Sequence, residues 1–427
     1  MIGFTIAAMA LLLAIGLPIA IGLGLVGVGL SEFFSPLPLT RALGEVAWSS
    51  STGFLMVSIP LFVLLGEILL RSGIADRMYA AVAAWLSWLP GGLMHANIGS
   101  CGLFASMCGS SVATAATVGT TALPQMNKFG YNPQLFLGSL AAGGTLGILI
   151  PPSINLIVYG LITNTSIPRL YLAGIIPGLL LVLMFMAVIA ITCTIRPSLG
   201  GRVVAASWME RLALLVEFLP PIFIFLVVIG SIYLGWATAT ESAALGVVAA
   251  LVLTIVRGRF SVTMLTAAVE NTMKTTGMIM LIVVAAFFLN FVMTAVGLTT
   301  AIVSVVTAYD LPPLGLIAAV AAFYLVLGAF MDEMAMMIST VPVIAPVVFS
   351  AGFDGVWFGV VLVVLMQAGM VLPPVGINLF VIQGIRRSGR IGEIAQGSIP
   401  FVLAMVLLLV LLVLFPQLAL YLPSTLT

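Results

Sequence analysis

Two stretches decide the fold: "GILIPPSIN" at residues 147–155 and "GMVLPPVGIN" at residues 369–378, each a double proline inside an apolar, membrane-length run. Proline has no backbone donor and clashes with the preceding helical turn. Each pair therefore predicts a helix that stops, unwinds and restarts, leaving carbonyls one turn back without their usual partners.

The surroundings say where that unwound backbone lies. Of 427 residues, 62% are hydrophobic and 6% charged, too little polar surface to cover a soluble core. Backbone groups must be satisfied internally in hydrocarbon, and the apolar runs lack the period-two alternation of barrel strands, so the chain reads as an all-α polytopic membrane protein lying in a lipid bilayer. Net charge is +1, which gives no field for nucleic acid. The first 27 residues carry no Lys or Arg ahead of their apolar run, unlike a cleaved leader, and read as a retained span. Cys101, Cys108 and Cys193 sit in apolar helices and read as ordinary buried thiols.

Spans are expected at about 4–30, 53–71, 135–162, 169–195, 218–236, 237–256, 275–296, 356–384 and 398–422. The first reads either as one span or as two short ones parted near Pro18. Two regions do not fit the series. An apolar helix after "LPGG" (89–92) meets "GSS" at 109–111 and resumes for about a dozen residues before Pro124; the same shape recurs from Pro312 through "DE" at 332–333 to Pro342 or Pro346. At 1.5 Å per residue such return legs are too short to cross, so both read as re-entrant hairpins, about 92–123 and 312–346.

A constant shift of 222 positions lays Ala113 on Ala335, Pro124 on Pro346, Gly130 on Gly352, Phe136 on Phe358, Leu140 on Leu362, Gly147 on Gly369, and Pro151 and Pro152 on Pro373 and Pro374. Matches on glycines and prolines preserve backbone shape, which indicates a duplication. The expected units are a first repeat over 1–200, a connector over 201–217 and a second repeat over 218–427. All but Arg41 and Arg169 of the 14 lysines and arginines then fall on one face, which the positive-inside rule makes cytoplasmic. The hairpins open on opposite faces, the repeats are inverted in topology, and the C-terminus is periplasmic.

Inverted repeats with discontinuous helices are the pattern of a secondary transporter with its site at the midplane. Carbonyls and hydroxyls suit a hard cation such as sodium, and helix N-termini suit a carboxylate. The sodium candidates are Ser110, Ser111, Gly147 and Pro151 in the first repeat and Asp332, Thr340, Gly369 and Pro373 in the second. The substrate candidates are Thr114, Pro152, Asn155, Glu333, Pro374 and Asn378. No cofactor other than sodium as coupling ion is expected. Four carboxylates fall at membrane depth, where burial is costly. Asp332 and Glu333 lie at a hairpin tip, Glu241 reads equally as a helix cap or a functional group, and Glu67, with no sequence-near partner, reads as a packing residue. His95, the one histidine, sits at an interface. Walker, HExxH, GxSxG and CxxC patterns do not occur, which argues against an enzyme or an ATP-driven pump.

The stretches "GSSVATAATVGTTALPQMNKFGYNPQL", "GTLGILIPPSINLIVYG", "GWATATESAALG", "GAFMDEMAMMISTVPVIAPVV" and "VLPPVGINLFVIQGI", spread over 109–385, resemble the DctM- and SiaM-like large membrane subunit of the tripartite ATP-independent periplasmic (TRAP) transporters. The resemblance implies sodium-coupled uptake of a small carboxylate across a bacterial or archaeal inner membrane. It also implies a small four-helix membrane subunit, a soluble periplasmic binding protein that delivers substrate, and an elevator-type movement of the transport domain. It places sodium at the Ser110–Ser111 tip with the Gly147–Pro152 break, and at the Asp332 tip with the Gly369–Pro374 break. Sialate-type members tend to carry an acid where this chain has Thr114, which weighs against sialic acid. With no extra helical bundle before residue 1, the small subunit is expected as a separate chain. The alternatives are a sodium/anion symporter acting without a binding protein, and a passive pore.

Overall fold

The computed structural model describes residues 1–202, 206–308, 312–373 and 376–426; among these there is no strand, and seven helices are long and apolar enough to cross a membrane. Residues 203–205 of the expected connector, and the candidate Pro374, lie outside the described residues.

Proline and glycine set the boundaries. The first apolar run is two helices, Ile2–Ala14 and Ile19–Phe34, parted at Gly16 and Pro18. The run at 135–162 is also two, Pro133–Thr145 and Ile154–Thr163, joined by a tight turn over Leu146–Ile148 and the Pro151–Pro152 pair. Gly355–Val371 and Ile377–Arg386 flank the second double proline in the same way. Runs without a double proline give long rods instead, Ile167–Ile195, Val262–Ala295 and Ile391–Leu414, the first and last continuing through Pro177 and Pro400.

Three expectations are corrected. The second legs of the hairpins are not short: Ser111–Phe129 and Glu333–Ser350 run 19 and 18 residues, with Pro124, Pro342 and Pro346 inside them. A proline removes one helical hydrogen bond, and a helix enclosed by protein absorbs that loss without ending. Nor is the 201–217 stretch merely a link, since a span begins inside it, at Trp208, and runs to Tyr233. A capping box on Ser207 and Glu210 starts that helix, and Glu217 joins it to neighbours by accepting from Arg77 at 3.3 Å and Arg257 at 2.6 Å. Helices Leu43–Ser51, Ile74–Leu86 and Leu298–Ala308 add to the expected series.

The run Ser111–Phe129, Pro133–Thr145, Ile154–Thr163, Ile167–Ile195 is followed later by Glu333–Ser350, Gly355–Val371, Ile377–Arg386, Ile391–Leu414. Cap chemistry recurs with it. Ser110 and Asp332 cap the first helix of each run through side-chain oxygens, Asn132 and Asp354 cap the second, and Gly130 and Gly352 take the positive φ between them. Packing is reciprocal too. Ser111–Phe129 lies on Ile377–Arg386 and Glu333–Ser350 on Ile154–Thr163; Pro133–Thr145 lies on Ile391–Leu414 and Gly355–Val371 on Ile167–Ile195.

Candidate solute site at two hairpin tips

The first hairpin is Leu93–Cys108 and Ser111–Phe129, turning at Gly109 (φ 64°) and Ser110; the second is Pro313–Gly328 and Glu333–Ser350. The first tip packs through Cys108 against Gly66, well inside the span Phe54–Arg71. The tips meet directly: Ser111 Oγ donates to Glu333 Oε1 at 3.2 Å.

Between them lies a cavity of about 380 Å³ walled by Gly66, Glu67, Ser110, Asn155, Asp332 and Glu333, with Thr275 and apolar neighbours. Three helices begin on this wall, at Ser111, Ile154 and Glu333. Helix N-termini present unpaired N–H groups and partial positive charge, so three of them converging form a setting for an anion. Each is capped. Ser110 Oγ accepts from Ala113 N at 3.4 Å, Ser153 Oγ from Leu156 N at 3.3 Å, and Asp332 Oδ2 from Met334 N and Ala335 N at 3.1 and 3.4 Å.

Behind the first tip, the break and the turn are pressed together. Gly147 faces the Ser110 backbone, and a Cβ there would sit 2.8 Å from Thr114 Oγ1. Thr114 Oγ1 donates to Ser110 O at 2.7 Å, and Ile154 N reaches Gly109 O at 3.5 Å. Ser153, which sequence reasoning passed over, straddles the break: its hydroxyl also donates to Ile148 O at 2.6 Å. The signal was present, as a serine between Pro-Pro and an apolar helical run is an N-cap pattern.

The structure thus brings Ser110, Ser111, Asn155, Asp332 and Glu333 together around the cavity and its rim, and Thr114, Gly147, Pro151 and Pro152 into the adjoining break. Of the other described candidates it brings none there. Thr340 lies two turns along its helix, its hydroxyl held between Met336 O at 2.7 Å and Tyr324 OH at 2.6 Å. Gly369 packs on the first leg of the second hairpin, where an added Cβ would lie 2.6 Å from Gly328 Cα. Pro373 is exposed, and Asn378 donates to Ala141 O at 3.1 Å.

Two acids read differently in three dimensions. Glu67 does have a sequence-near partner: Arg71, one helical turn on, pairs with it, and Asn271 donates to it at 3.4 Å. Glu67 also lines the cavity, which its sequence neighbours did not signal. Glu241 closes a capping box with Thr238, accepting from its N–H at 2.8 Å. His95 is buried, with Nε2 at 2.9 Å from Pro90 O.

A bundle of apolar helices with discontinuous segments and, between their ends, a cavity lined by a few polar and acidic side chains among apolar ones is the architecture of a membrane transporter rather than an enzyme. The family model for the TRAP transporter DctM component matches residues 6–418, and the chain belongs to that family, the large permeases of bacterial TRAP systems. It is 34% identical to the C4-dicarboxylate TRAP transporter large permease protein DctM of Pseudomonas aeruginosa, over 94% of this chain and 93% of that one. It is 31% identical to the ectoine TRAP transporter large permease protein TeaC of Halomonas elongata, over 98% and 97%. The fold is similar to that of the YdaH transporter of Alcanivorax borkumensis, with a TM-score of 0.61 over 89% of this chain and 90% of that one at 16% identity. As a family, TRAP permeases work with a small membrane subunit and a periplasmic binding protein.

Proposed function

We propose that this permease carries a small carboxylate-bearing solute inward, coupled to sodium, after delivery by a periplasmic binding protein. The observation that carries the proposal is the convergence of three capped helix N-termini on one cavity of about 380 Å³ between two hairpin tips. That volume suits a metabolite-sized ligand. Relatives named for C4-dicarboxylates and for ectoine support a small carboxylate as cargo.

The two runs of elements act as inverted repeats about an axis in the membrane plane. Supporting this, residues 222 positions apart touch each other twice, Ser111 with Glu333 and Thr145 O with Gln367 Nε2 at 2.8 Å. Equivalent residues meet in this way near a two-fold axis. Sodium binds where hairpin turns meet helix breaks. The Ser110 carbonyl, the Thr114 hydroxyl and the carbonyls of the 147–152 break are neutral hard oxygens, the donor type such a cation takes. The hairpins and broken helices move together as an elevator, and the C-terminus faces the periplasm.

The test is uptake of radiolabelled succinate or ectoine into proteoliposomes holding the permease and its small subunit, with and without the binding protein and an inward sodium gradient. Uptake requiring both supports the proposal. Sodium-driven uptake without the binding protein favours a stand-alone symporter, and uptake indifferent to sodium removes the coupling.

A further inference from the structure

A second groove, apart from the solute site, lies between the last turns of Ser111–Phe129 and Ile377–Arg386 and measures about 690 Å³. Leu123, Pro124 and Ile385 give it apolar wall, and Asn127, Arg386 and Arg387 give it polar, basic wall. No acid among the described residues lines it. Arg386 is paired with Glu393 at 2.6 Å, whereas Arg387, exposed on the groove, forms no ion pair among the described residues. Lys128, beside Asn127, and Arg390, three residues past Arg387, add to the positive charge. All of these lie on the face that the charge rule makes cytoplasmic.

Arg387 is held there by its backbone. It has φ 57° just past the end of its helix, a place where glycine is usual. The matching place in the other run, after Ile154–Thr163, is taken by Asn164 with φ 54°, a residue type that tolerates this conformation. Gln383 Nε2 fixes the turn by donating to Ser388 O at 3.3 Å and Gly389 O at 3.1 Å. Glycine or asparagine would serve such a turn at less strain, so the guanidinium calls for a use of its own. On the same helix Phe380, 51% exposed, and Gly384 share one face, and Arg387 follows three residues on. Phe380 stands about 10 Å back toward the helix break, and so toward the membrane interior. Gly384 leaves the way between them open, with nothing within 4 Å of where its Cβ would be.

An unpaired guanidinium suits a phosphate, which arginine meets through two parallel N–H bonds. A free phosphate would use that end of the groove alone. The apolar wall, the open glycine and the exposed phenylalanine fit a ligand with a hydrocarbon part reaching into the bilayer, and basic pockets between helices on the cytoplasmic side are where anionic headgroups settle. We propose that the groove binds an anionic phospholipid of the cytoplasmic leaflet, its phosphate on Arg387 beside Asn127 and an acyl chain passing over Gly384 against Phe380. The bound lipid ties the second leg of the first hairpin to the far half of the second broken helix, whichever solute is carried.

The experiment is thermal-shift titration of the purified full-length permease, stripped of lipid in neutral detergent at low ionic strength, with phosphatidylglycerol, phosphatidylcholine or inorganic phosphate. The expected result is protection by phosphatidylglycerol at a concentration about tenfold or more below that needed for phosphatidylcholine, and none by inorganic phosphate in the same range. Arg387→Gly should abolish that preference while melting, without lipid, no lower than wild type, because glycine suits the backbone there. Gly384→Leu, which fills the path of the chain, should weaken phosphatidylglycerol by about tenfold. Arg169→Gln, on the opposite face, should keep the wild-type preference. Should Arg387→Gly fail to assemble, Arg387→Gln carries the test by native mass spectrometry, retaining fewer phosphatidylglycerols than wild type. Equal protection by the two lipids overturns recognition of the headgroup charge. Inorganic phosphate protecting as well as phosphatidylglycerol makes the groove a site for free anions and overturns the lipid. An unchanged phosphatidylglycerol preference in Arg387→Gly, or unchanged retention in Arg387→Gln, places any bound lipid elsewhere and overturns the proposal.

Discussion

Ser111 and Glu333 stand 222 positions apart in the chain and 3.2 Å apart in space, each the first residue of a helix that begins at a hairpin tip. The bond ties the two tips, and the other Glu333 oxygen is buried with no hydrogen-bond partner among the described residues. An intramolecular hydrogen bond contributes about 0.5–1.5 kcal/mol net. Ser111→Ala, which unties the two tips, should therefore lower solute affinity by up to about tenfold and weaken sodium activation, with insertion unchanged. Uptake measured against sodium concentration checks this, and unaltered sodium activation would sink the assignment.

Asp332 combines two roles that substitution can part. As an N-cap it accepts from two backbone N–H groups, and loss of such a cap costs about 0.5–2 kcal/mol. Asp332→Ala should lower the melting temperature, whereas Asp332→Asn, a cap of equal quality, should preserve it. If the charge also serves sodium, Asp332→Asn raises the sodium concentration for half-maximal uptake. A wild-type sodium curve for Asp332→Asn would leave capping as its only role.

Thr340 is placed as a bridge between hairpin legs, so Thr340→Val should cost about 1 kcal/mol of stability and leave sodium activation untouched. Because its partner is Tyr324, the double variant with Tyr324→Phe should cost little more than either alone. A raised sodium requirement in Thr340→Val would return this residue to the ion site.

Gly147 and Gly369 make the closest backbone approaches at the two breaks. An alanine at either place meets main chain rather than a flexible side-chain end, and overpacking of this kind costs about 1–3 kcal/mol. Both variants should melt at lower temperature, and Gly147→Ala should also impair sodium activation because it pushes on Ser110 and Thr114. Equal melting of Gly147→Ala and wild type would contradict the packing described.

Movement of the tips has its own readout. Single cysteines at positions 110 and 333, in a background lacking Cys101, Cys108 and Cys193, should change their reaction with membrane-impermeant thiol reagents when sodium and solute are added. Constant labelling under every condition speaks against an elevator.

Much of this architecture is written locally. Prolines 18, 151, 152 and 373 stand where apolar runs break, the missing donor and the ring clash acting within one turn. Ser153 and the Glu67–Arg71 pair were equally local and could have been read from cap and i,i+4 spacing. Pro124, Pro342 and Pro346 mislead as helix ends, since whether one lost hydrogen bond stops a helix depends on the protein around it.

Composition and proline placement alone determined a helical membrane protein with two discontinuous helices and a duplicated pattern, because hydrocarbon demands satisfied backbone and proline denies it at fixed positions. Which tip residues face each other, that Glu67 joins them, that Thr340 does not, and that one Glu333 oxygen is left free were decided only by the tertiary structure. Those facts are contacts between residues as many as 222 positions apart, and no local rule of spacing reaches that far.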